Sequence, residues 1–164
     1  MQIILRAVRW TSLVSLPAFL WLVPNSSAFA GEIGSCADSL ISEGVAKSAA
    51  ATACSDALEP NNLATCVEQI TGGVDVKGIE ALDACYRVRR PDELASCVNT
   101  INSGLENAGA MALDSCRRSL LPERHAECTL DLASFSEISG EEAMASCIAA
   151  EFMPSEVAPE TSKN

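Results

Sequence analysis

The amino-acid sequence predicts an all-α fold of tandem helical hairpins, each stapled by a disulfide and each drawn from a repeat of about 31 residues. Three observations predict it. Cysteines, prolines, glycines and alanines recur at one offset. The apolar residues between them follow helical spacing, and the sustained alternation of a half-buried strand is absent.

Cys54, Cys85, Cys116 and Cys147 are 31 residues apart, and so are Cys66, Cys97 and Cys128. Pro60, Pro91 and Pro122 keep the same step, as do Gly78, Gly109 and Gly140. Ala50, Ala81, Ala112 and Ala143 follow it too, with Leu82, Leu113 and Met144. Cys36 joins the Cys66 series after a one-residue deletion in the first unit. Chance does not place so many residues at one offset.

The first element is a targeting segment. Residues 1–30 read as a secretory signal peptide: Arg6 and Arg9 make a positive start, an apolar run from Trp10 to Val23 follows, and Ala28-Phe29-Ala30 is a cleavage pattern before Gly31. The run is shorter than the ~20 apolar residues of a membrane span and contains Pro17, so removal is expected, with no stable membrane insertion afterwards. No cysteine directly follows the pattern, which argues against a lipoprotein start.

Residues 31–154 then form one domain of four hairpin units. Its first helix is expected to be short, because cleavage leaves few residues before Cys36. The third hairpin shows the logic most fully. Pro91 suits the first helical turn, where its missing N–H has no partner to lose, and Asp92 and Glu93 sit at the positive end of the helix dipole. Leu94, Cys97, Val98 and Ile101 make the buried stripe, and Gly104 can end the helix. A second helix runs from about Gly109 to Leu120, with Ala112, Leu113 and Cys116 on its apolar face, until Pro122 opens the next unit. In the last unit Ser139 and Glu142 have the spacing of a capping box. Residues 155–164 are polar and proline-bearing and read as a disordered tail.

All eight cysteines lie beyond the signal segment, and an even count in an exported chain of this size is a disulfide signal. Two pairings fit antiparallel hairpins. One crosses the proline turns: Cys54–Cys66, Cys85–Cys97 and Cys116–Cys128. The other crosses the glycine-containing turns: Cys36–Cys54, Cys66–Cys85, Cys97–Cys116 and Cys128–Cys147. The second is favoured because it uses every cysteine in four alike hairpins, whereas the first strands Cys36 and Cys147. Small neighbours, among them Ala53, Ala84, Ala95, Ser115 and Ser146, allow the close helix approach that disulfides need. Hairpins linked this way build either a small αα-solenoid or a compact helical bundle.

Composition narrows the function classes. Cleavage removes two arginines and no acid, so nine basic residues face 22 acidic ones, a formal charge of −13. That charge repels nucleic-acid phosphates and anionic lipid. Without a Cys-x-x-Cys motif, no metal site and no cofactor is expected. His125, the single histidine, stands where Leu63 and Leu94 stand in earlier units and reads as a partly exposed helix residue. Asp83 and Asp114 occupy equivalent positions and read as a solvated helix face rather than a glycosidase pair, and nothing nominates a catalytic residue.

One charge feature stands out. Arg87, Arg89, Arg90, Arg117, Arg118 and Arg124 surround the second and third proline turns, while the matching stretch Ser55-Asp56-Ala57-Leu58-Glu59 has no basic residue. Stacked units would line these turns along one edge, a candidate surface for anionic groups of a partner. The reading that follows is a periplasmic or secreted, non-enzymatic binding or scaffold protein whose partner is a protein or peptide. Two alternatives stay open: a thiol-redox or soft-metal-binding envelope protein, and an enzyme inhibitor or hydrolase.

Overall fold

The computed structural model describes residues 27–135 and 138–152; most of the signal segment and the whole of the 155–164 tail lie outside them. Eight helices follow one another: α1 (Ser27–Ser42), α2 (Lys47–Asp56), α3 (Pro60–Gly73), α4 (Gly78–Cys85), α5 (Pro91–Gly104), α6 (Gly109–Arg118), α7 (Pro122–Phe135) and α8 (Gly140–Phe152). The described residues contain no strand. Among them no helix is long and apolar enough to cross a membrane.

The helix ends follow from residue chemistry. Pro60, Pro91 and Pro122 each open an odd-numbered helix. Gly73 and Gly104 end α3 and α5, where the N–H groups of Val74 and Leu105 donate to the Ile70 and Ile101 carbonyls, each at 2.9 Å. At the end of α1 the backbone turns left-handed at Gly44, with φ +83°, and the Val45 N–H reaches back to the Leu40 carbonyl at 3.0 Å. At α8 the Glu142 N–H donates to Ser139 Oγ at 3.2 Å, which caps the helix.

In the uncleaved chain the first helix includes the cleavage pattern. With 16 residues, α1 is longer than the 14-residue α3 and α5, and Ala28 and Ala30 fall in its first turn. The Ser-Ala-Phe-Ala segment contains no breaker, so the helix continues upstream of the cleavage pattern. A chain starting at Gly31 would still hold Ile33, Cys36 and Leu40, which face the core.

The fold is a compact helical bundle with a simple order. The odd helices pack in sequence, α1 on α3, α3 on α5 and α5 on α7, and each even helix packs on its own odd partner. Neighbouring even helices touch more lightly. Four disulfides close the hairpins across the glycine-containing turns: Cys36–Cys54, Cys66–Cys85, Cys97–Cys116 and Cys128–Cys147, with Cα–Cα distances of 5.9 to 6.1 Å. Leu40, Val67, Ile70, Leu94, Val98 and Ile101 fill the centre, surrounded by alanines and half-cystines. Small side chains bring the helices close enough for the sulfurs to bond.

The recurrent glycines are joints between hairpins. A Cβ on Gly78 would lie 2.0 Å from the Glu43 carbonyl oxygen, one on Gly109 2.9 Å from Val74 Cβ, and one on Gly140 2.7 Å from Leu105 Cδ1. Each even helix from α4 onward thus begins against the residue just past the odd helix of the preceding hairpin. In the first hairpin, before which no turn lies among the described residues, the position is Lys47. A second set ends the odd helices: Gly73 faces the Asn99 side chain and Gly104 faces Leu130. In α7 this position is Phe135, which is 80% exposed, and among the described residues no helix packs beyond it. Polar ties reinforce the joints. The Thr71 hydroxyl donates to the Glu43 carboxylate at 2.6 Å, and the Asn99 and Asn102 amides donate to the Gln69 and Gly73 carbonyls at 3.0 and 3.1 Å.

Candidate functional site

The even-to-odd turns follow one another along one edge of the stack. Tyr86, at the end of α4, donates its hydroxyl hydrogen bond to Asp56 at the end of α2. That bond, with the negative charge behind it, holds the phenol above its usual pKa against the opposing Arg87, which lies 5.4 Å from the ring centre. One unit on, Ser119 Oγ and the Leu120 N–H both donate to the Glu151 carboxylate of α8, at 2.6 and 2.7 Å.

All six arginines are exposed, and they cluster in or beside the second and third of these turns. Three are engaged locally. Arg90 pairs with Glu93 at 2.8 Å, while Arg117 and Arg118 share Asp114 at 2.8 and 3.1 Å. Such exposed pairs contribute little stability and leave guanidinium edges in solvent. Arg89 and Arg124 make no ion pair among the described residues. Asp83 and Asp114 both border the groove between α4 and α6, and the Asp114 carboxylate is occupied by its two arginines.

Sequence reasoning missed the apolar half of this edge. Leu58 is 94% exposed and Leu120 63%, and Leu121 beside it is exposed as well. Leu58, Arg89 and Leu120 occupy the same register in successive turns, so the signal was present in the repeat itself. Leu120 and Leu121 lie side by side, so this turn presents an apolar pair to solvent.

His125 corrects an expectation. It is not partly exposed but 1% exposed, with Nε2 joined to Ser115 Oγ by a 2.7 Å hydrogen bond. The repeat explains why: Ala53 with Leu63, then Ala84 with Leu94, become Ser115 with His125, so an apolar contact is exchanged for a polar one in the same place. Burial holds the imidazole below its usual pKa; Glu151 opposes this and Arg118 adds to it. The arrangement stops short of a catalytic triad, because Nδ1 has no partner to orient it and Ser115 is itself buried. Among the described residues no group of three or more histidines, cysteines or carboxylates is placed to hold a metal ion.

This pair gives a pH prediction. The unfolded chain binds a proton at His125 near pH 6.5, and the folded chain only at lower pH. The folded state therefore binds fewer protons as pH falls below 6.5, and stability declines there by at most ~1.4 kcal/mol per pH unit. Denaturation midpoints at pH 7 and pH 5 for the wild type and for Ser115→Ala/His125→Leu should diverge, with the variant losing less. Parallel losses would refute the assignment.

Leu120, Leu121, Arg124, His125, Ala150 and Glu151 enclose a pocket of about 340 Å³ over the Cys128–Cys147 disulfide, at the α7–α8 end of the edge. No protein-family model matches this chain, and neither a curated protein nor a solved structure is significantly similar to it.

Proposed function

We propose that this chain is an exported, non-enzymatic binding protein that holds a protein or peptide partner on its turn edge. The observation that carries the reading is the juxtaposition of exposed leucines and arginines on turns that cannot move far, each flanked by a disulfide-closed hairpin. Apolar anchors beside guanidinium forks suit a partner presenting carboxylates next to aliphatic side chains. Preformed turns lower the ordering cost of such a contact. Four disulfides suit an oxidising, extracellular compartment, and the reading of residues 1–30 as a signal peptide places the protein in the periplasm or outside the cell.

The test is a charge reversal at two separate turns, Arg89→Glu with Arg118→Glu. A partner captured by the wild type from native host extract should bind the variant about tenfold more weakly at low salt, the difference shrinking as salt rises. Equal affinity, with the helical spectrum unchanged, would remove the edge from consideration.

A further inference from the structure

One of the four disulfides is built unlike the others. Cys128 is partly exposed, whereas each of the other seven cysteines is 3% exposed or less. Six half-cystines belong to the continuous apolar core; Cys128 and Cys147 do not, and they border the pocket described above.

The hairpin that carries this disulfide stands at one end of the stack. Among the described residues α7, like α1 at the opposite end, has an odd neighbour on one side only. Two of its core positions, unlike those of the units before it, are polar: His125 stands where Leu94 stands one unit earlier, and Thr129 where Val98 stands. His125 Nδ1 and Thr129 Oγ1 are both buried without a hydrogen-bond partner. Unpaired buried polar atoms raise the free energy of the closed state, and local opening concentrates where apolar packing is thinnest.

Thiol–disulfide exchange requires a thiolate to reach a sulfur, so access decides which disulfide reacts. The pocket wall carries one cation that an anion can meet and one carboxylate already engaged by hydrogen-bond donors. Arg124 stands on its wall, exposed and without an ion pair among the described residues. Glu151, the pocket's own carboxylate, is turned onto Ser119 and the Leu120 N–H.

We infer that Cys128–Cys147 is the exchange-competent disulfide of this protein, and that its pocket receives a small thiol bearing a carboxylate. Arg124 takes the carboxylate, and Leu120, Leu121 and Ala150 cover the carbon chain. The thiolate sulfur attacks Cys128 Sγ, forming a mixed disulfide. The Sγ–Sγ bond breaks, and its electron pair leaves on Cys147 Sγ, which takes a proton from water. A second thiolate attacks the sulfur of the bound thiol and releases Cys128 as a thiolate. Two external thiols are oxidised to one external disulfide, and one protein disulfide is reduced to two thiols.

The experiment exposes the full exported protein to limiting 3-mercaptopropionate or 2-mercaptoethanol, quenches with acid, alkylates, and maps the labelled cysteines. Cys128 and Cys147 should be labelled on the order of tenfold faster than any other pair. Arg124→Gln should lower the ratio of the carboxylate thiol's rate to the neutral thiol's by about threefold, because the ratio cancels differences in thiol pKa and leaves the charge contact. His125→Leu/Thr129→Val, which restores the residues of the preceding unit, should slow labelling of this pair with either thiol. Another pair opening first, or all four opening together, would overturn the assignment. An unchanged ratio in Arg124→Gln would overturn the carboxylate thiol as the ligand.

Discussion

Replacing Cys97 and Cys116 together by alanine should destabilise the protein by about 3 kcal/mol and lower its melting temperature by about 10 °C. The link joins residues 19 apart in sequence, and closing a loop of that size removes chain entropy from the unfolded state alone. Both half-cystines are buried in the core, so the loss of the two sulfurs adds a packing cost in the same direction. This hairpin has a hairpin on either side, so its loosening reaches both neighbours. Denaturant titration separates the contributions. The midpoint should fall while the slope rises, since an uncrosslinked chain exposes more surface when it unfolds. A variant with an unmoved midpoint would mean that helix packing alone holds the hairpin.

Two glycines in adjoining helices should respond to the same substitution with opposite signs. Gly78→Ala places a methyl group 2.0 Å from the Glu43 carbonyl oxygen, a backbone atom that cannot rotate away. The start of α4 must then withdraw from the first hairpin, at a cost of about 2–3 kcal/mol. Gly72, inside α3, has nothing within 4 Å of its added Cβ, so Gly72→Ala should stabilise the protein by roughly 0.5–1 kcal/mol through helix propensity. Thermal melts of the two variants beside the wild type decide the matter. If both stabilise, the recurrent glycines are not joints.

The hairpin order was legible in the sequence because proline, glycine and cysteine each impose a local rule, and the repeat states every rule several times. Pro91 opens a helix whether or not its surroundings are known, and Gly104 ends one. The reach of α1 was not legible, since a cleavage pattern says where a protease acts and nothing about where helical hydrogen bonds begin. The arginine positions were readable, but their engagement depends on rotamers: Asp114 reaches both Arg117 and Arg118 because the three lie on one face of α6 and its last turn. The burial of His125 follows from register rather than polarity. A histidine that inherits a leucine's position inherits its surroundings, and the matching change from Ala84 to Ser115 supplies the hydrogen bond that makes burial tolerable. The exposure of Leu58 runs against the usual sorting of leucine, and only comparison with Arg89 at the same register points outward.

Among the described residues, the two ends of the stack lack the glycines that join its interior hairpins. Lys47 and Phe135 stand where interior units carry glycine, so neither end offers the notch into which a further hairpin would fit. Growth by duplication is therefore confined to the middle. A second copy of residues 60–90 spliced after Arg90 would meet a matching joint on both sides, whereas the same segment grafted beyond α8 would bring its first helix against the Phe135 ring.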